Sequence, residues 1–180
     1  MRLSIIAAVA ANRVIGRNNK LPWRQSTDLK RFKALTMGHH VLMGRKTYGD
    51  DVAKPLPGRV NVVITNNPSF AVQGVALARS IDEAIAKATA AGDDEIFILG
   101  GGEIFRQTIH RADRMYITQI HADVEGDTFF PEFDDVNEWH LIDREDFESD
   151  EKNEYPFSFL TYDRALDAAG NPPPFDEQGG

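Results

Sequence analysis

The chain has 180 residues, 42% of them hydrophobic and 27% charged, with a formal net charge of −8 and no cysteine. That length and hydrophobic share suit one compact domain, or one domain with a tail, able to bury a core without staples. Disulfide scaffolds, zinc–thiolate and iron–sulfur centres and thiol nucleophiles are excluded, as are collagen, coiled coil and wholesale disorder, and no apolar run is long enough to span a membrane.

The first apolar run follows Arg2. Leu3–Ala11 mimics a weak secretory signal, but it also reads as a buried strand over Leu3–Ala10, and the strand is preferred because the residues after it are those a mature domain uses. Gly16 with Asn18-Asn19 marks a loop that continues through Leu21-Pro22-Trp23. Ser26-Thr27-Asp28 opens a helix with Leu29, Phe32 and Leu35 at helical spacing, ending at Met37-Gly38. His40–Met43 is a short strand stopped by Gly44, and Lys46-Thr47-Tyr48 starts a short helix. Residues 54–58 form a rigid turn, and Val60–Thr65 and Gly74–Ala78 are strands. Ser80 caps a helix over Ile81–Ala91, with Glu83 placed for a capping box.

Glu95–Leu99 is a strand that enters Gly100-Gly101-Gly102, and a helix follows from Glu103 to His110. Arg114–Ile120 is a strand, and Trp139–Asp146 and Phe157–Tyr162 form an antiparallel hairpin. The fold class expected is α/β: a single domain, residues 1–165, with a central, mostly parallel twisted sheet, a C-terminal antiparallel hairpin at one edge and helices on both faces. Residues 166–180, acidic and Pro-rich, read as a disordered tail.

Charge is divided unevenly along this frame. Residues 1–59 hold 12 Lys and Arg against 3 Asp and Glu, and residues 60–180 hold 8 against 25. A basic first third on an acidic whole suits local capture of an anion and discourages non-specific nucleic-acid binding; chance spacing on a solvated surface is the alternative. Open α/β sheets bind ligands at the carboxyl ends of their strands. Gly44-Arg45-Lys46-Thr47 stands at one such end and suits a phosphate, although alone it reads more readily as a solvated basic turn. Gly100-Gly101-Gly102 stands at another, and three glycines allow close approach of a ligand. It is neither a dinucleotide fingerprint nor a P-loop.

Asp28 sits in the first turn of its helix, where an acid often does no more than complement the dipole. Yet Asp28, Phe32 and Leu35 fall at i, i+4 and i+7, so the carboxylate shares the apolar face and needs a partner there. A cationic or amidine-like ligand is one. Histidines give no metal signal: His39 and His40 are adjacent, so they should diverge on a strand, and His110, His121 and His140 stand alone. No serine elbow supports a Ser/His/Asp triad.

Ile5-Ile6-Ala7-Ala8, Val14-Ile15-Gly16, Leu21-Pro22-Trp23, Asp28-Leu29, Phe32-Lys33, Met43–Thr47, Leu56–Arg59, Gly100–Gly102 and Glu125–Thr128 follow one another as in bacterial dihydrofolate reductases of the chromosomal type. The chain resembles that family from about Arg2 to Arg164. Each motif alone is weak; all of them in register are specific. The resemblance implies reduction of dihydrofolate by NADPH in the cytoplasm, by a monomer with no metal, nucleic-acid or membrane partner.

It further implies that Asp28 takes the pterin and favours protonation of N5, with Leu21 and Trp23 beside it in the catalytic set. Trp23, acting through water, and Thr118 position the pterin and Asp28. Ile6, Ala8, Leu29, Phe32, Val52, Leu56 and Leu99 wall the pocket, Arg59 meets the glutamate tail, and Lys33 is a further substrate-binding residue. For the cofactor it implies Ala8, Ile15, Gly16 and Asn19 around the nicotinamide. Lys46, Thr47 and the run Gly101, Gly102, Glu103, Ile104 and Phe105 meet the pyrophosphate; Gly44, Leu99, Gln107 and Thr128 complete the cofactor set, with Asp127 and Thr128 on a loop that supports the segment from about Ala10 to Arg24. Arg45, Thr65, Asn66 and Arg79 take the 2′-phosphate. The loop from about Ala10 to Arg24 resembles a mobile lid, and the first two glycines of the triple are joined by a cis peptide in the family. The chain departs from the pattern with Leu21 for a methionine, Phe105 for a tyrosine, Asn66 at the 2′-phosphate and one extra residue within Gly49–Lys54. A related pterin- or pyrimidine-type reductase, and a nucleotide-binding module without turnover, are the competing readings.

Overall fold

The computed structural model of the chain describes residues 1–16, 22–50, 52, 54–166 and 170. The expected tail falls almost wholly on 167–169 and 171–180, outside the described residues, as do Asn19 and Leu21.

In chain order the elements are β1 (Arg2–Ala10), β2 (Val14–Gly16), α1 (Ser26–Thr36), β3 (His40–Gly44), α2 (Thr47–Asp50), β4 (Val60–Ile64) and β5 (Val75–Ala78). Then come α3 (Ile81–Ala90), β6 (Glu95–Gly100), α4 (Gly102–Thr108), β7 (Arg114–Ile120), β8 (Thr128–Phe129), β9 (Trp139–Phe147) and β10 (Phe157–Arg164). Eight strands form one sheet in the order β5-β4-β3-β6-β1-β7-β10-β9. Pairing is parallel from β5 to β7, and β10 and β9 join antiparallel at the far edge. The mixed sheet is the one expected from alternating strands and helices followed by a hairpin.

Both faces of the parallel part are covered, which explains why its strands read as continuous apolar runs. On one face Ile5, Leu42, Val62, Ile96 and Ile98 pack with Ala84 and Ala88 of α3 and Ile104 and Ile109 beside α4. On the other, Val41, Met43, Val63, Phe97 and Tyr116 pack with Leu35 of α1 and with Ile6, Leu56 and Leu99. The period of two along each strand divides neighbouring residues between the two cores.

The elements differ from expectation in informative ways. Ser80 caps α3 by accepting the Glu83 N–H at 3.1 Å, but Glu83 reaches back one residue further than a capping box, accepting from the Arg79 N–H at 2.7 Å. No side chain at the start of α1 caps it; the Thr27 N–H instead donates to Asn153 Oδ1 from the β9–β10 connection, at 3.1 Å. The short segment α2 is not a regular helix, since Tyr48 and Gly49 have non-helical dihedrals and Gly49 a φ of +115°. A small second sheet, β2 with β8, pairs two segments too short to show a periodicity.

His39 and His40 do not diverge. His39 precedes β3, so its ring is free to turn the same way as that of His40, and both converge on one carboxylate. His39 Nδ1 lies 2.8 Å from Asp93 Oδ1 and His40 Nδ1 2.7 Å from Asp93 Oδ2, while the His40 and Glu95 backbone N–H groups donate to the same acid at 2.7 and 3.1 Å. The Asp93 side chain is only 6% exposed. It fastens the start of β3 to the start of β6, at the end of the sheet remote from the glycine turns. Asp94 also approaches His39, but the oxygens of Asp93 are already engaged by these donors.

Burial would raise the Asp93 pKa, but the hydrogen bonds outweigh it and hold the group at about 2. Burial would likewise lower that of His39, but Asp93 and its acidic neighbours raise it. The Asp93 contribution is therefore present above 3.8 and lost as pH falls through about 2. The His39 contribution is complete below 6.5 and lost as pH rises through the raised value. Asp93→Asn should lower the unfolding free energy by about 2 kcal/mol near pH 5, measured by urea titration.

Candidate active site

The parallel strands bring their carboxyl ends to one side, where a cleft of about 840 Å³ opens between the two glycine turns. Ile6 and Ala8 of β1 and Leu99 of β6 line its floor, and Asp28, Leu29, Phe32 and Lys33 line it from α1. Val52, Leu56 and Arg59 close one side; Gly44, Arg45, Lys46 and Thr47 extend it past β3; and Gly101, Gly102, Glu103, Ile104 and Phe105 form the wall from α4. Ile15, Gly16 and Thr128 come from the small sheet. Leu29 remains 57% exposed, so the cleft keeps a large apolar side chain at its rim that only an apolar ligand would cover.

Helical spacing on α1 puts Asp28, Phe32 and Leu35 on the face turned to the sheet. Thr118 of β7 donates its hydroxyl to Asp28 Oδ1 at 2.5 Å. Burial pushes the Asp28 carboxyl above the usual carboxylate range, against the Thr118 hydrogen bond and the Arg31 guanidinium, which pull it back. An acid held in this way is poised to exchange charge with a ligand rather than with water.

At one end of the cleft Arg59 is fixed by its own donors. Its Nε bonds to the Pro57 carbonyl at 3.0 Å and its Nη1 to Thr36 Oγ1 at 3.1 Å. At the other end the sheet register organises the cations. Gly44, Ile64 and Ala78 lie in one row across β3, β4 and β5, so Arg45, Thr65 and Arg79 are each one residue beyond it. The Thr65 N–H donates to the Ala78 carbonyl at 2.9 Å, and the Arg45 guanidinium lies 5.8 Å from the centre of the Phe70 ring.

The glycine turns meet. Gly100 and Gly101 are joined by a cis peptide, and Gly100 has a φ of +116°. A Cβ on Gly101 would stand 3.3 Å from Thr47 Oγ1, and one on Gly44 3.4 Å from Ile104. A side chain at either glycine would fill the narrow space left between the turns.

Other expected site residues lie outside the cleft lining. Thr65, Asn66 and Arg79 sit at the strand ends beyond it, with Asn66 and Arg79 exposed. Gln107 is on the exposed side of α4, donating to Glu103 Oε1 at 3.1 Å. Trp23 packs against the cluster of Ile120, Phe157 and Phe159 beneath the hairpin. Thr118 touches the site through Asp28. Ala7 lines the cleft although it was not among the expected site residues.

That small sheet and its neighbours tie the first part of the expected lid, residues 11–16, to residues 122–130. Ala11 and Asp127 donate backbone N–H bonds to Ala122 and Gly16 at 3.0 and 3.1 Å, and Asn12 Nδ2 donates to the Val124 carbonyl at 2.8 Å.

A family model described as "Dihydrofolate reductase" matches residues 2–164. The chain belongs to the dihydrofolate reductase family. It is 42% identical to dihydrofolate reductase type 3 of Salmonella typhimurium over 164 residues, covering 91% of this chain and 99% of the relative. To dihydrofolate reductase of Bacillus subtilis it is 41% identical over 162 residues, covering 90% and 94%. Among solved structures, dihydrofolate reductase from Enterococcus faecalis complexed with NADP(H) and RAB-propyl superposes with a TM-score of 0.82 at 37% identity, covering 91% and 96%. Membership makes the chain an enzyme, a reductase of dihydrofolate.

The small sheet gives a test of its own. A Cβ on Gly126 would overlap Val14 Cγ1 and stand 2.5 Å from the Gly16 carbonyl oxygen. Gly126→Ala should therefore destabilise the fold by about 1–3 kcal/mol, seen as a drop in the thermal unfolding midpoint.

Proposed function

We propose that this reductase converts 7,8-dihydrofolate to 5,6,7,8-tetrahydrofolate with NADPH, by hydride transfer to C6 and protonation at N5, in the cleft around Asp28, and so supplies one-carbon metabolism. The observation that carries the reading is a carboxylate on an apolar wall, between two groups of cations at opposite ends of one cleft. Lys33 and Arg59 stand at one end and Arg45 and Lys46 at the other, with Arg79 beyond them. A substrate with a flat cationic or amidine-like head and an anionic tail suits Asp28 and the first pair; a phosphate-bearing cofactor suits the second.

Asp28 presents its oxygens to the paired N–H donors of the pterin 2-amino group and neighbouring ring nitrogen, and Thr118 fixes the carboxylate in that orientation. Trp23 acts through water. Ile6, Ala8, Leu29, Phe32, Val52, Leu56 and Leu99 exclude water from the ring faces. Arg59 forks onto the α-carboxylate of the glutamate tail, a bidentate task that lysine performs poorly, with Lys33 beside it. Burial raises the proton affinity of Asp28, and the carboxyl group favours delivery of a proton, through water, to N5.

The residues on the cofactor side fit NADPH. The Gly101 turn lies against Thr47 and Gly44 lies against Ile104, and the exposed cations Arg45 and Arg79 follow β3 and β5 in one row, with Thr65 at the end of β4 between them. NADPH supplies the hydride when bound. Arg45, Thr65, Asn66 and Arg79 would hold its 2′-phosphate, Lys46, Thr47 and residues 101–105 would meet its pyrophosphate with Gly44, Gln107 and Thr128 as further cofactor residues, and Ala8, Ile15, Gly16 and Asn19 would border the nicotinamide. One chain furnishes every group, which supports a monomer, and dependence on NADPH supports a cytoplasmic place of work.

Asp28→Asn should lower turnover at pH 7 by about 100-fold or more while leaving NADPH affinity nearly intact, measured by loss of NADPH absorbance and by equilibrium titration. Unchanged turnover would remove Asp28 from the mechanism. Replacing Arg45 and Arg79 together by Ala should weaken NADPH about tenfold more than NADH; equal losses would move the 2′-phosphate elsewhere.

A further inference from the structure

We propose that Arg31 is a positioning residue for Asp28: a cation pinned on the aromatic surface of β10 that acts on the reaction through the carboxylate and touches neither substrate nor cofactor. The inference rests on the functional reading of Asp28 given above and extends it to a residue outside the cleft lining.

Arg31 is one turn after Asp28 on α1, so the two side chains share a face. Its guanidinium carbon lies 4.2 Å from the centre of the Phe159 ring and 5.7 Å from that of Tyr116, and Nη2 donates to Thr161 Oγ1 at 3.4 Å. Strand register explains the setting. Thr118, Phe159 and Glu145 form one cross-strand row over β7, β10 and β9, and Tyr116, Thr161 and Asp143 form the next. Directly paired residues project on the same face. Asp28 is held by the first residue of the first row, and Arg31 lies over its second. The cation is thus tied down beside the acid rather than left as a solvated surface charge.

Its electrostatic neighbours come from three elements: Asp28 on α1, Tyr116 on β7, and Asp143 and Glu145 on β9. Asp28 also meets the Thr118 hydroxyl, and Lys33 and Arg59 line the same cleft. Arg31 opposes proton uptake around Asp28, whichever atom of the bound pair carries the proton. The β9 carboxylates oppose Arg31. The edge strand therefore bears on the proton balance of the site through one side chain.

The test compares Arg31→Met, which keeps length and stacking but no charge, with Arg31→Lys, which keeps the charge. The pH profile of single-turnover hydride transfer from NADPH to dihydrofolate should shift to higher pH by about one unit in Arg31→Met and by a few tenths at most in Arg31→Lys. Glu145→Gln should shift it the other way, by less. In parallel, the Asp28 carboxyl is titrated by carbon-13 NMR in the free protein, where its midpoint should rise in Arg31→Met alone. The NMR arm stands even if the parent fails to reduce dihydrofolate, a failure that would sink the functional reading and not this one. Near-UV circular dichroism confirms folding of each variant. Superimposable titrations of parent and Arg31→Met overturn the proposal, as does an equal shift in Arg31→Lys, which would assign the effect to packing.

Discussion

A carboxylate set among apolar side chains must give up its charge or be held by donors and cations strong enough to replace water. Asp28 is in that position, and much of the molecule is arranged around it. Helix α1 presents it on the face that also carries Phe32 and Leu35. The Thr118 hydroxyl of β7 fixes one of its oxygens at 2.5 Å. Arg45 and Lys46 follow β3 at the carboxyl ends of the parallel strands and Arg59 precedes β4 at the other end, so a ligand that meets the acid has basic groups on both sides.

Much of this was legible in the amino-acid order. The strands expected at Val60–Thr65 and Glu95–Leu99 were legible from the apolar residues 62–64 and 96–99, because burial on both faces favours such runs without any partner in view. Asp28 was conspicuous because helical periodicity put it on the wrong face for a solvated acid. The pairing of Arg45 with Arg79 was not legible from spacing, since 33 residues and two strands intervene; the resemblance to a known family carried that expectation, and the register of β3, β4 and β5 gives it a physical form.

What escaped the sequence reading depended on partners distant along the chain. His39 and His40 were expected to point apart, and a single carboxylate from the connection into β6 gathers both. Asn153 caps α1 from 126 residues away. The pairing of β2 with β8 joins segments so short that each is a strand only because the other is there. Arg31 reads as an ordinary charged position on an exposed helix face until β10 supplies the aromatic ring beneath it.

The first turn of α1 is completed by the β9–β10 connection. The Gln25 amide donates to the Tyr155 carbonyl and accepts from the Tyr155 N–H, at 3.0 and 2.8 Å, and the Ser26 N–H reaches the Lys152 carbonyl at 3.1 Å. These closures are among the longest in sequence that the fold makes, and long closures form late because their entropy is spent before any contact returns it. A chain emerging from the ribosome would therefore have its parallel strands and glycine turns well before the acid of the cleft had a firm footing. Ligand capture would switch on only once almost the whole polypeptide had been made.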